Sequence, residues 1–129
     1  MHACENPQVM QAAADRAVPA PLLCLQGNPS AAGTLLVDRL VDDGARVRYH
    51  GDFDWPGLSI AGRILARGAT PWRLTAADYL AALPPGVGAP LTGPEVATPW
   101  DPWLQMALRK QGRAVHEEAV LEVLLTDLR

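Results

Sequence analysis

Residues 49–62 read YHGDFDWPGLSIAG, and the fold turns on how this stretch is taken. Just before it, Val47 and Tyr49 alternate with Arg46, Arg48 and His50, the two-residue period of a strand. Beyond it, Leu58, Ala61, Ile64 and Leu65 share one helical face, and Gly68 closes the helix. The turn between them carries a helix-start signature. Asp54 suits the N-cap because its side chain accepts a backbone N–H, and Pro56 suits the first turn because its φ is preset. The stretch predicts a strand over 45–50 running into a helix over 58–67.

The same pattern occurs twice upstream. A strand stub over 2–4 meets Glu5-Asn6-Pro7 and a helix over 7–17. A strand over 21–25 meets Gly27-Asn28-Pro29-Ser30 and a helix over 31–41 that ends at Gly44. A fourth short strand is expected over 71–74. Strands alternating with helices imply parallel βαβ units, and right-handed crossovers put helices on both sheet faces. The expected class is therefore α/β: a Rossmann-like parallel sheet of about four strands flanked by helices.

Downstream the pattern changes to a C-terminal helical extension. Thr75 begins a short helix to 83, with Asp78 in a capping-box position. Pro84, Pro85, Pro90, Pro94, Pro99 and Pro102 fill the next segment, with Trp100 and Trp103 giving it something to bury. Helices over 103–110 and 115–128 follow, parted by Gly112, with Asp101 as a cap. One domain over 1–129 is expected, with a core over 1–74 and an extension over 75–129. Because the first strand is only a stub, the chain is expected to be a piece of something longer.

Composition agrees with one domain: 129 residues, 49% hydrophobic and 19% charged. No apolar run approaches the ~20 residues of a membrane span. Cys4 and Cys24 make no disulfide framework and no signal peptide opens the chain, so a cytoplasmic location is expected. A net charge of −3 argues against holding nucleic acid by bulk charge. Residues 46–73 are nonetheless locally basic, with Arg46, Arg48, Arg63, Arg67 and Arg73 against Asp52 and Asp54.

In a parallel sheet all three helix starts lie at the carboxyl edge, where ligands of open α/β sheets bind and helix N-termini favour phosphate. Glu5, Asp52 and Asp54 are expected to converge there, with Gly27 and Gly51 giving the backbone room. Three carboxylates together repel, and a divalent cation such as Mg²⁺, shared with phosphate oxygens, removes that cost. Asp52 and Asp54 alternate, so both can face one edge. They can equally do no more than cap the helix, and both readings stand at this point.

Other residues have bland and functional readings side by side. His50 is a packed strand histidine or a group near phosphate. Ser30 is a cap or a phosphate donor. Glu117 and Glu118 suit the dipole of the last helix, with Glu118 kept as an accessory acid. Arg63 and Arg67 form a solvated face or touch a DNA backbone. Tyr49 and Tyr79 offer no evident nucleophile. Trp55, Trp72, Trp100 and Trp103 are expected in the core, Trp55 also being placed to shield the turn.

On these residues the chain resembles the toprim domain of topoisomerases, bacterial primases, recombination proteins and related nucleases. That domain has a Glu ending its first strand and an Asp-x-Asp after its third, here Glu5 and Asp52/Asp54. The turn Gly27-Asn28-Pro29 and the turn over 52–57 look most like the topoisomerase VI A subunit-like group. Through YHGDFDWPGLSIAG and AVHEEAVLEVLLTDL the chain is similar to the C-terminal toprim domain of the nuclease subunit of SMC-like, Wadjet-type anti-plasmid systems. The resemblance implies a Mg²⁺- or Mn²⁺-dependent endodeoxyribonuclease in defence or genome maintenance, with Glu5, Asp52 and Asp54 as catalytic and metal-binding residues. It implies weaker phosphate or DNA contacts from Gly27, Asn28, Ser30, His50 and Arg63. Expected partners are DNA, SMC-like complex subunits and a second copy of the chain. The main rival is a non-catalytic DNA- or partner-binding module. A phosphotransferase using Asp52 as nucleophile fits less well, because Trp55 and Pro56 follow the acids and the only lysine is Lys110.

Overall fold

The fold is seen in a computed structural model that describes residues 1–26, 30–85 and 88–129. Strands β1 (His2–Cys4), β2 (Leu22–Cys24), β3 (Arg48–His50) and β4 (Thr70–Pro71) form one parallel sheet in the order β2-β1-β3-β4. Six α-helices accompany it: α1 (Pro7–Asp15), α2 (Ala31–Asp42), α3 (Trp55–Ala66), α4 (Ala76–Ala82), α5 (Pro102–Gln111) and α6 (Leu121–Asp127). A 3₁₀ turn, Glu117–Val120, leads into α6. This is the α/β, Rossmann-like architecture that the alternating pattern predicts.

The helix starts follow from their capping residues. Asn6 accepts from the Gln8 N–H, Ser30 from Gly33, Asp54 from Gly57 and Asp101 from Trp103. Thr75 and Asp78 form a reciprocal capping box on α4. A proline occupies the first turn of α1, α3 and α5, where no N–H is missed. The first turn of α3 therefore begins at Trp55, inside the quoted motif.

Right-handed crossovers set the layers. The chain steps from β1 outward to β2, then back across to β3 and β4, so α1 lies on one face and α2 and α3 on the other. Ion pairs lace each layer: Arg16 just after α1 with Glu122 of α6, and Arg67 after α3 with Asp38 of α2. The order in which strands are added reverses between β1 and β3, and such a switch point opens a crevice at the carboxyl ends. Tyr49, Leu58, Ile64, Trp72, Leu74 and Leu124 are among the residues fully buried beneath it.

Three expectations fail. The fourth strand, expected over 71–74, is the two-residue β4, with 72–74 outside it. Val115 does not begin the last helix: it pairs antiparallel with Phe53, N–H to carbonyl in both directions (2.8 and 3.0 Å). The helical reading followed the apolar spacing of Leu121 onward, but Phe53, just past the end of β3, pairs its amide and carbonyl with Val115 and holds 115 extended. Trp103 is not core. It stands 68% exposed beside Leu80 and Met106, because the buried face of α5, which packs against α4, is filled by Leu104 and Leu108. Trp55 and Trp72 are buried as expected. Among the described residues no helix is long and apolar enough to cross a membrane.

Candidate functional site

The register decides which acids can meet. Cys4 of β1 lies opposite His50 of β3, so Glu5 and Gly51-Asp52 leave neighbouring strands at the same level, on either side of the switch point. Gly51 matters here: a Cβ at that position would sit 3.0 Å from Glu5 Oε2. With that space open, Glu5 Oε2 accepts the Asp52 backbone N–H at 2.9 Å. Asp54 follows two residues on, where Oδ1 caps α3 on the Gly57 N–H at 2.6 Å. Gly57 tolerates no side chain, since a Cβ would press into the Asp52 carbonyl.

Capping and ligand readings of Asp54 are not exclusive. Oδ1 serves the helix, and Oδ2 lies 3.4 Å from His116 Nε2. One ligand atom from each of Asp52, Asp54 and His116 falls within 4.8 Å of the others, the spacing of a metal centre. Two carboxylates and an imidazole suit a divalent first-row ion; imidazole nitrogen favours Mn²⁺ or a later metal over the all-oxygen shell that Mg²⁺ prefers. The donor set fits such an ion. Glu5 stands beside this group, one hydrogen bond from Asp52, and an open hollow of about 410 Å³ lies over Glu5, Asn6, Pro7, Gln26 and Asp52.

His116 and Glu117 reach the site because the Phe53–Val115 bridge carries the chain across it. Glu117 is wholly buried. Its Oε1 accepts the backbone N–H groups of Glu5 (3.1 Å) and Asn6 (2.5 Å), and Oε2 meets His50 Nδ1 at 2.8 Å. Its own N–H donates to Asp52 Oδ1 at 2.7 Å. Spacing along the chain does not announce this role. The one available signal is a pair of glutamates that follows a short apolar step, 114–115, after a single histidine.

Burial dominates the electrostatics. It raises the Glu5 carboxyl to about 7; the Asp52 N–H opposes this, while the charges of Asp52, Glu117 and Asp54 add to it. Burial likewise raises Asp52, against the Glu117 N–H and with the Asp54 charge. Glu117 is pushed up to about 8, chiefly by burial, and His50 down to about 4 for the same reason. A dry pocket disfavours charge on both partners, so the pair shares a proton without a net ion. His50 Nε2 and the Tyr49 hydroxyl are buried without a partner among the described residues.

The remaining candidates fall into place around this centre. Gly27 and Asn28 lie outside the described residues. Ser30 spends its hydroxyl on the Gly33 N–H as the α2 cap. His50 is packed behind the acids and does not line their open side. Arg63 is in the last turn of α3, nine residues or roughly 13 Å of helix from Asp54. Glu118 sits at the rim and accepts from the Asn6 side chain at 2.7 Å. Tyr49 and Tyr79 are both buried, and burial raises the Tyr49 phenol far above its usual range.

A family model described as "Protein of unknown function C-terminus (DUF2399)" matches residues 1–128. Searches of curated proteins and of solved structures found no match.

Proposed function

The chain belongs to the DUF2399 family, and we propose that it is a toprim-type, divalent-metal-dependent DNA-cleaving domain. One observation carries the reading: acids from two neighbouring strand ends, Glu5 and Asp52, meet Asp54 and His116 at the switch point of a parallel sheet. That edge is where such sheets take ligands.

Asp52, Asp54 and His116 are the residues that would hold the ion. When bound, a divalent ion there supplies Lewis-acid polarisation of a phosphoryl oxygen and stabilises charge on the leaving oxygen. Glu5, with its carboxyl raised to about 7, has the proton affinity of a general base near neutral pH and lines the open hollow. The N-terminus of α3 points its dipole at the same edge and favours a phosphate there. Neither tyrosine is available for a covalent DNA intermediate, so hydrolysis by water is the preferred route. In this reading two copies of the chain work beside an SMC-like complex, since a double-strand cut needs two sites.

Plasmid DNA and the protein with Mn²⁺ or Mg²⁺, compared with its Asp52→Ala variant, make the test. Metal-dependent nicking or linearisation lost in the variant is the expected result. Cleavage that survives Asp52→Ala refutes the reading. DNA retention by both forms with no cleavage by either favours the non-catalytic binding module instead.

A further inference from the structure

We infer that Glu117 is the positioning residue of this site: it closes a ring of three backbone-to-carboxylate hydrogen bonds that sets where Glu5 and Asp52 point. The ring runs through three distant pieces of chain. The Glu5 N–H donates to Glu117 Oε1, the Asp52 N–H donates to Glu5 Oε2, and the Glu117 N–H donates to Asp52 Oδ1. Each acid gives its amide to one neighbour and takes an amide from the other. Each thereby spends one oxygen on the ring. The second oxygens of Glu5 and Asp52 remain for a ligand, whereas that of Glu117 is taken by His50 Nδ1.

Glu117 is thus unlike the other two. It is fully buried, both its oxygens are occupied, and Asn6 adds a second amide to Oε1. An acid placed so has no oxygen left for a ligand. Its geometry instead ties the end of β1 to the end of β3 through the segment after Val115. A site of this kind needs its ligating groups held by supporting hydrogen bonds, because small misplacements cost much of the affinity. The inference deepens the metal-site reading and takes that site as its premise, but the ring itself is testable without a metal.

Two variants separate the roles. Glu117→Gln keeps an acceptor for the Glu5 and Asn6 amides; Glu117→Leu keeps the volume and removes the acceptor. The readouts are Mn²⁺ affinity by calorimetry and amide hydrogen exchange at Asp52. The Asp52 N–H bonds Glu5, not residue 117, so its exchange reports the ring and not a lost local contact. Folded Glu117→Gln is expected to keep Mn²⁺ affinity within about threefold and Asp52 protection near that of the parent. Folded Glu117→Leu is expected to lose Mn²⁺ affinity by about tenfold or more and to exchange the Asp52 amide at least about tenfold faster. Parent-like values in Glu117→Leu overturn the inference. So does a loss of more than about tenfold in a folded Glu117→Gln, which would make Glu117 a ligand. If the leucine variant fails to fold, the glutamine variant decides alone. If the parent binds no Mn²⁺, the metal-site reading has failed, and amide exchange alone decides the ring.

Discussion

Raising the pH from 6.5 to 8 should weaken the metal-free protein. Glu117 ionises near 4.5 in an unfolded chain but holds its proton to about 8 in the fold. Between those values the native state binds more protons than the unfolded state. Stability from this group is therefore complete at low pH and is lost as pH rises through about 8. His50 works the other way. It drops from 6.5 to about 4 on folding, so its contribution rises with pH between those values and is flat above. The window above 6.5 therefore isolates the acids. At ~1.4 kcal/mol per pH unit and per proton, Glu117 alone lowers stability by about 2 kcal/mol across it. Glu5 reaches only about 7 and is part-exposed, so solvent screening makes its share the smaller one. For a chain of this size a loss of about 2 kcal/mol lowers Tm by roughly 8 °C. Urea unfolding followed by tryptophan fluorescence, in chelator, at the two pH values measures it directly. Equal or greater stability at pH 8 would refute the buried-acid account. Glu117→Gln should flatten the slope, and saturating Mn²⁺ should restore stability at pH 8 by binding the native state.

Three other outcomes follow from the same geometry. Asp54→Ser keeps a side-chain acceptor for the Gly57 N–H, so stability should change by less than about 1 kcal/mol while Mn²⁺ affinity by calorimetry falls at least about tenfold. Gly57→Ala should destabilise by about 1–3 kcal/mol in urea titration, because its Cβ meets the Asp52 carbonyl and the Asp54 carboxylate with nowhere to move. Glu5→Gln should cut plasmid cleavage by about 10²–10⁴ while Mn²⁺ still binds, the separation expected of a base outside the Asp52, Asp54 and His116 set.

How far the residues foretell this molecule depends on whether a feature is local. The caps at Asn6, Ser30, Asp54, Thr75 and Asp101 are local chemistry, since each side chain reaches an amide two or three residues on, and all stand in the structure. The βα alternation was legible for the same reason, and with the crossover rule it placed Glu5 and Asp52 at one sheet edge. The extension was not legible in this way. Phe53 and Val115 pair across 62 positions, and nothing in the periodicity of either segment marks the partner. That pairing pulls 115–116 out of helix, brings His116 to Asp54 and buries Glu117. By helical spacing both glutamates adjoin the apolar stripe, and Glu118 was kept as the accessory acid; in the structure it sits at the rim and Glu117 is the one inside. Trp103 misled through composition, because an aromatic among prolines suggests burial while its place on α5 leaves it outside.

The most direct measurement is an anomalous difference map from crystals of the chain soaked in Mn²⁺. The account predicts one strong peak in contact with Asp52, Asp54 and His116, with Glu5 touching it or reaching it through a single water. A peak elsewhere on the surface, or a map without a peak at this edge while the crystal holds Mn²⁺ at another place, would contradict it.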